Sequence, residues 1–114
     1  ATLVERILAQ DPDAHVVVLG DLNSFYDSPP LDDLRQAGLR HVYEDVEPAI
    51  PYTYVYQGES ETLDHILMTP GLYDRISRVE VLHANADYPP PSPDDASARR
   101  SSDHDPLVVT ISFE

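Results

Sequence analysis

The sequence predicts an α/β (α+β) fold, a mixed and mostly antiparallel sheet with flanking helices that amounts to half of a sandwich. Three observations lead there. Apolar runs of strand length, such as "HVVVLG" at positions 15–20, share the chain with short stretches of helical spacing. The elements come to about five strands and two or three helices, which suits one domain or a piece of one. The continuous run also calls for cover on both faces, and helices on one side of a sheet leave its other side bare.

The elements follow in order. "TLVERILAQ" sets Leu3, Ile7 and Leu8 at helical spacing, and Asp11-Pro12 closes the helix. "HVVVLG" is the strand covered on both faces. "DLNSFYDSPP" is rich in turn formers, and "PLDDLRQAG" reads as a short helix with Pro30 near its start and Gly38 at its end. "HVYEDVEP" is expected to form a helical turn. "YTYVYQ" and "TLDHILMT" read as the arms of a hairpin, with "GESE" as the glycine-containing connection. "RVEVLHANA" is a further strand. From Ala86 to Ser102 the composition shifts to Pro, Asp, Ser and Arg without periodicity, and a connection that long is usually functional or mobile. "PLVVTISF" ends the chain, with Leu107, Val109, Ile111 and Phe113 alternating onto one face.

Composition narrows the function classes. Twenty-one acids face seven bases, all of them Arg, for a net charge of −14. That balance works against gripping nucleic acid by electrostatics alone, which needs a basic face. It leaves room for an enzyme that meets phosphate through a bound divalent cation, because the ion reverses the local sign. The absence of cysteine excludes disulfide frameworks, thiolate zinc sites and cysteine nucleophiles. No apolar run approaches the length of a membrane-spanning helix. The opening residues read as helix then strand, as if the chain began in the middle of a fold.

Three clusters carry chemistry. Gly20-Asp21-Leu22-Asn23-Ser24 ends the apolar strand, and Asp21 and Asn23 share a face if the chain stays extended. A carboxylate beside a neutral amide can orient water and donate to an oxyanion, although an Asx turn ending a strand has the same composition. A calcium loop starting at Asp21 fails at Phe25, Tyr26 and Asp32. In "LDHIL", Asp64 and His65 leave opposite faces of a strand, so either one of them points into a polar pocket or the strand is a solvated edge. In "SSDHDP", His104 lies between Asp103 and Asp105 where a loop becomes a strand, either as a polar cap or as a histidine oriented by one carboxylate while another binds metal. Neither a G-x-S-x-G elbow nor a glycine-rich phosphate loop is present. What remains is carboxylates, a histidine and a hard cation, which suits attack of water on a phosphoester.

"GDLNS", "TLDHILM" and "SSDHDP", in this order, resemble the motifs of the endonuclease/exonuclease/phosphatase superfamily, the deoxyribonuclease-I-like group. The run "LHANADYPPPSPDDASARRSSDHDPLVVTI" is most similar to its bacterial secreted nuclease-type members. The resemblance implies that residues 1–114 are the C-terminal half of a four-layer α/β/β/α sandwich, lacking the N-terminal half with its main metal-ligand glutamate. It implies metal-dependent phosphodiester hydrolysis by a secreted or cell-surface nuclease acting on nucleic acid, with Mg²⁺ or Mn²⁺, or else Ca²⁺, as cofactor. Asp21 would orient or deprotonate water, and Asn23 would bond the scissile phosphate. Asp103 would help hold the metal, and His104 would contact the phosphoryl oxygen with Asp64 fixing its tautomer. His65 takes no catalytic role, and Asp105 is structural. The same motifs admit a phosphomonoesterase or lipid-headgroup phosphatase, and a non-catalytic acidic interaction module that kept the fold. Residues 86–102 could meet phosphate through Arg99 and Arg100, or form a solvated insertion in which Asp87, Asp94, Asp95 and Asp103 dilute that charge.

Overall fold

Helix α1 (Thr2–Gln10) buries Val4, one turn before the half-buried Leu8, while Leu3 is 69% exposed. Its core stripe therefore runs through Val4 and Leu8, not through Leu3 as the spacing suggested. The structure, a computed structural model, describes residues 2–46, 51–89, 92–94, 97 and 100–113. Strand β1 (Val17–Asp21) alternates in burial, with Val17 and Leu19 exposed. The expected cover on both faces is absent among the described residues: Val16 and Val18 pack against the core on the helix α1 side, while Val17 and Leu19 stay exposed. Helix α2 (Pro29–Gln36) starts at Ser28, whose extended backbone leads into two prolines that lack the N–H a first turn leaves unused. It ends before Gly38 at φ +112°, where an added Cβ would meet Leu8 Cδ1 at 3.1 Å.

The stretch expected as a helical turn opens with the two-residue strand β2 (Arg40–His41) and continues as turns through Asp45. Its Glu47 and Pro48 lie outside the described residues. The hairpin is tighter than expected: β3 (Tyr54–Tyr56) pairs with β4 (Glu59–Glu61) across Gln57-Gly58. Both turn residues have positive φ, +49° and +82°, the geometry that a two-residue connection needs to match strand twist. "GESE" is thus mostly strand, and "LDHILM" belongs to another sheet as β5 (Asp64–Met68). A short helix α3 (Pro70–Tyr73) leads to β6 (Ile76–Val81), which pairs with β7 (Leu107–Ile111).

The arrangement is mixed α+β, and every strand pair is antiparallel. β5 is the centre of a sheet ordered β1-β5-β2. On one of its faces Leu67 joins Val4, Leu31, Ala37 and Leu39 in the helix-side core. On the other, Met68 joins Val42, Tyr43 and Leu72, with Val79, Leu107 and Val109 packed around them. Burying a Leu such as Leu31 or Leu67, both fully enclosed, stabilises the fold by about 1.5–3 kcal/mol each. Two layers thus clamp β5, and the ends of β1 and β5 face β7 and the loop before it.

Candidate active site

The antiparallel register sets Asp21 directly opposite Asp64. Like charges in facing positions destabilise a sheet by a few tenths of a kcal/mol or more unless a cation lies near. His104 supplies one: its Nδ1 lies 2.7 Å from Asp64 Oδ2, and its Nε2 lies 3.9 Å from Asp21 Oδ2 and 4.0 Å from Asp103 Oδ1. Burial resists charge on the imidazole, but the hydrogen bond and charge of Asp64, with Asp21 and Asp103, outweigh it and raise its pKa above the usual histidine value. A carboxylate can only accept, so Nδ1–H donates to Asp64. The charged form then carries a second N–H at Nε2, on the side of the two exposed carboxylates.

Asp21, Asp64 and His104, which the sequence placed in three separate motifs, therefore converge. Each has a possible ligand atom within 4.8 Å of the others, His104 only with its imidazole neutral and Nε2 free, and the two carboxylates supply the oxygens that a hard divalent cation takes. Asp103 lies outside that trio, exposed at its edge. Asn23 is exposed, and the chain does not stay extended to reach it. Asn23 adopts φ +47°, and its N–H donates to Asp21 Oδ1 at 3.0 Å, an Asx turn. That turn commits one oxygen of Asp21 and leaves the other toward His104.

Several positioning groups carry no sequence signal. Thr53, fully buried, accepts at Oγ1 from the N–H groups of Leu63 and Asp64, each at 3.2 Å, and its carbonyl accepts from Asp105 N–H at 2.7 Å. One residue of the hairpin thus sets Asp64 against the segment carrying His104. In the sequence it is simply a β-branched strand residue. Tyr54 stacks on the His104 ring at 4.6 Å between centroids.

Asp64 and His65 do leave opposite faces. His65 Nε2–H donates to Ser24 carbonyl at 2.6 Å, so its Nδ1 must accept from His41 Nε2–H at 2.8 Å. His41 Nδ1 in turn accepts from Tyr43 N–H at 3.1 Å. This chain requires both rings neutral. Burial, then the neighbouring His65, pushes the pKa of His41 down to about 3, and burial lowers that of His65. The pair braces the turn that follows Asp21.

Asp105 is buried, accepting from the N–H groups of Asn85 and Ala86 and pairing with His83 at 2.7 Å, the structural use expected of it. Arg100 donates to Asn85 carbonyl at 3.1 Å, which turns it to bracing the loop. Arg99 and Asp95 lie outside the described residues. Beneath the trio, a cleft of ≈ 180 Å³ is lined by Leu19, Ile66 and Leu107 among others.

Two solved structures share this fold. A form of the 3′ phosphatase NExo from Neisseria, bound to a product DNA hairpin, matches with TM-score 0.67 and 21% identity, covering 97% of this chain and 51% of the other. The 3′–5′ exonuclease NExo from Neisseria meningitidis matches with TM-score 0.67 and 22% identity over the same shares. The chain thus spans about half the length of the structures it matches. No curated protein matches it significantly. A protein-family model described as the Endonuclease/Exonuclease/phosphatase family matches residues 2–104, nearly the whole chain and all of the converging trio, and the chain belongs to that family.

Proposed function

We propose that the chain is the C-terminal portion of a catalytic domain that hydrolyses phosphodiester bonds with a divalent cation, as an extracellular nuclease. The observation that carries this reading is His104, held by Asp64 at 2.7 Å with Nε2 turned toward Asp21 and Asp103. The family supports phosphoester chemistry, and coverage of half the matched structures supports a partial domain. The extracellular placement rests on the motif resemblance.

In this reading a divalent cation bound here would supply polarisation of the phosphoryl oxygen and neutralisation of developing charge. Asp103 would help hold it. Asp21 orients the attacking water and takes its proton, its second oxygen fixed by the Asn23 turn. Asn23 reaches the scissile phosphate from the exposed side of that turn. His104, whose pKa Asp64 raises, donates in its protonated form from Nε2 to a phosphoryl oxygen, and Asp64 keeps the ring in that orientation. The neighbour named as a 3′ phosphatase keeps a phosphomonoester as the second reading. The cluster is intact, which speaks against a degraded, non-catalytic module.

This chain alone is expected to bind metal weakly and turn over little, because a glutamate ligand and further phosphate contacts would come from the other half of the domain. The test is Mn²⁺ titration of the labelled chain, followed by paramagnetic broadening. Signals of Asp21, Asp64, Asp103 and His104 should broaden together before those of His15, which precedes the opposite end of β1. Uniform broadening over the acidic surface, with no preference for the trio, would sink the reading.

A further inference from the structure

We infer that Tyr54 and Tyr56 form a stacking rail for an unpaired nucleobase beside His104, so that the substrate is a single-stranded or frayed nucleic acid and not a base-free phosphoester. The inference rests on the hydrolase reading above and deepens it.

Residues two apart on a strand share a face, so Tyr54 and Tyr56 rise together from β3. Their rings lie 18° from parallel at 6.5 Å between centroids, and Tyr54 in turn lies 27° from parallel to the His104 imidazole at 4.6 Å. Three nearly parallel rings thus lead from the imidazole out to Tyr56, which is 52% exposed. A ligand phosphate at His104 Nε2 would have its base in reach of this rail.

Charge weighs against a duplex. The hairpin carries Glu59 and Glu61, and Asp27 shares a cleft with them. Around such a surface a duplex backbone finds no basic track to follow. Stacking on aromatic rings is indifferent to sequence, since every base has a π-face. An inositol or sugar phosphate has none. Recognition would thus divide between the cation-binding end, which meets one phosphate, and the rings, which meet one base.

The test is NMR titration of the chain, labelled in its Tyr and His rings and kept in Mg²⁺, with tetrathymidylate and with an abasic tetramer of equal charge. Tetrathymidylate should shift the Tyr54 and Tyr56 ring signals upfield and bind tighter than the abasic tetramer. Tyr56→Ala, at an exposed position, should weaken thymidylate binding about fivefold or more, the lower end of what stacking one base contributes. Tyr56→Phe should retain the affinity. Equal binding of both tetramers, with His104 perturbed by each, overturns the rail and leaves the hydrolase reading in place. If neither tetramer perturbs His104, both readings are overturned.

Discussion

Acidification should destabilise this chain through His41 well before its carboxylates are fully protonated. His41 is wholly buried and neutral, donating to His65 and accepting from Tyr43 N–H. Its pKa is about 3 in the fold and about 6.5 when unfolded. The folded value is depressed, so the neutral ring's contribution is fully present above about pH 6.5 and is lost as pH falls toward about 3. Each unit of pH below about 6.5 costs about 1.4 kcal/mol, so going from about pH 7.5 to about pH 5 should remove about 2 kcal/mol. That is a large share of the roughly 5–15 kcal/mol that stabilises a small domain. His65, lowered for the same reason, acts in the same direction. The assay is urea unfolding at both pH values for the wild type and for His41→Gln, whose amide can donate and accept but does not titrate. The variant should be less stable at pH 7.5 by about 1 kcal/mol, from poorer hydrogen-bond geometry. Its further loss on acidification should be at most half that of the wild type. Equal acid losses in the two proteins would refute the neutral, mutually bonded pair.

Asp64→Asn should lower the pKa of His104, read from its ring proton shifts. With the pKa raised in the fold, His104 contributes stability that is fully present below about pH 6.5 and lost as pH rises through the folded value, and the variant should lack this alkaline loss. An unmoved titration would mean that Asp64 does not govern the ring. Thr53→Val keeps the shape but strands the N–H groups of Leu63 and Asp64, so the urea midpoint should fall by the equivalent of about 1–3 kcal/mol, and the His104 ring signals should broaden as Asp64 loses its register. A fully wild-type midpoint would remove Thr53 from the frame of the site. Gly38→Ala should cost more than about 1 kcal/mol, because φ +112° strains any side chain and Leu8 must give way; thermal unfolding would show it, and an unchanged melting point would contradict the helix end described.

Local chemistry in the sequence determined the ends of the helices, the position of most strands and the polar clusters at their edges. Pro29-Pro30 and Gly38 bound α2 because their backbone preferences act within a few residues. The alternation of Asp64 and His65 onto opposite faces is equally local, since a strand has period two. The two-residue turn at Gln57-Gly58 was also written there, but Glu59-Ser60-Glu61 is so polar that it read as loop; pairing with β3, not burial, makes it strand.

Tertiary structure decided the rest. No periodicity says that β5 pairs with both β1 and β2, and only that pairing puts Asp64 opposite Asp21 and His41 beside His65. Leu3 against Val4, and the bare face of β1, depended on which layer arrived on which side. Thr53 and Tyr54 look like ordinary strand residues until the hairpin is laid against His104. Motifs 40 residues apart or more carry the reactive groups, and contacts over such separations depend on the packing of the whole chain, which local propensity does not encode.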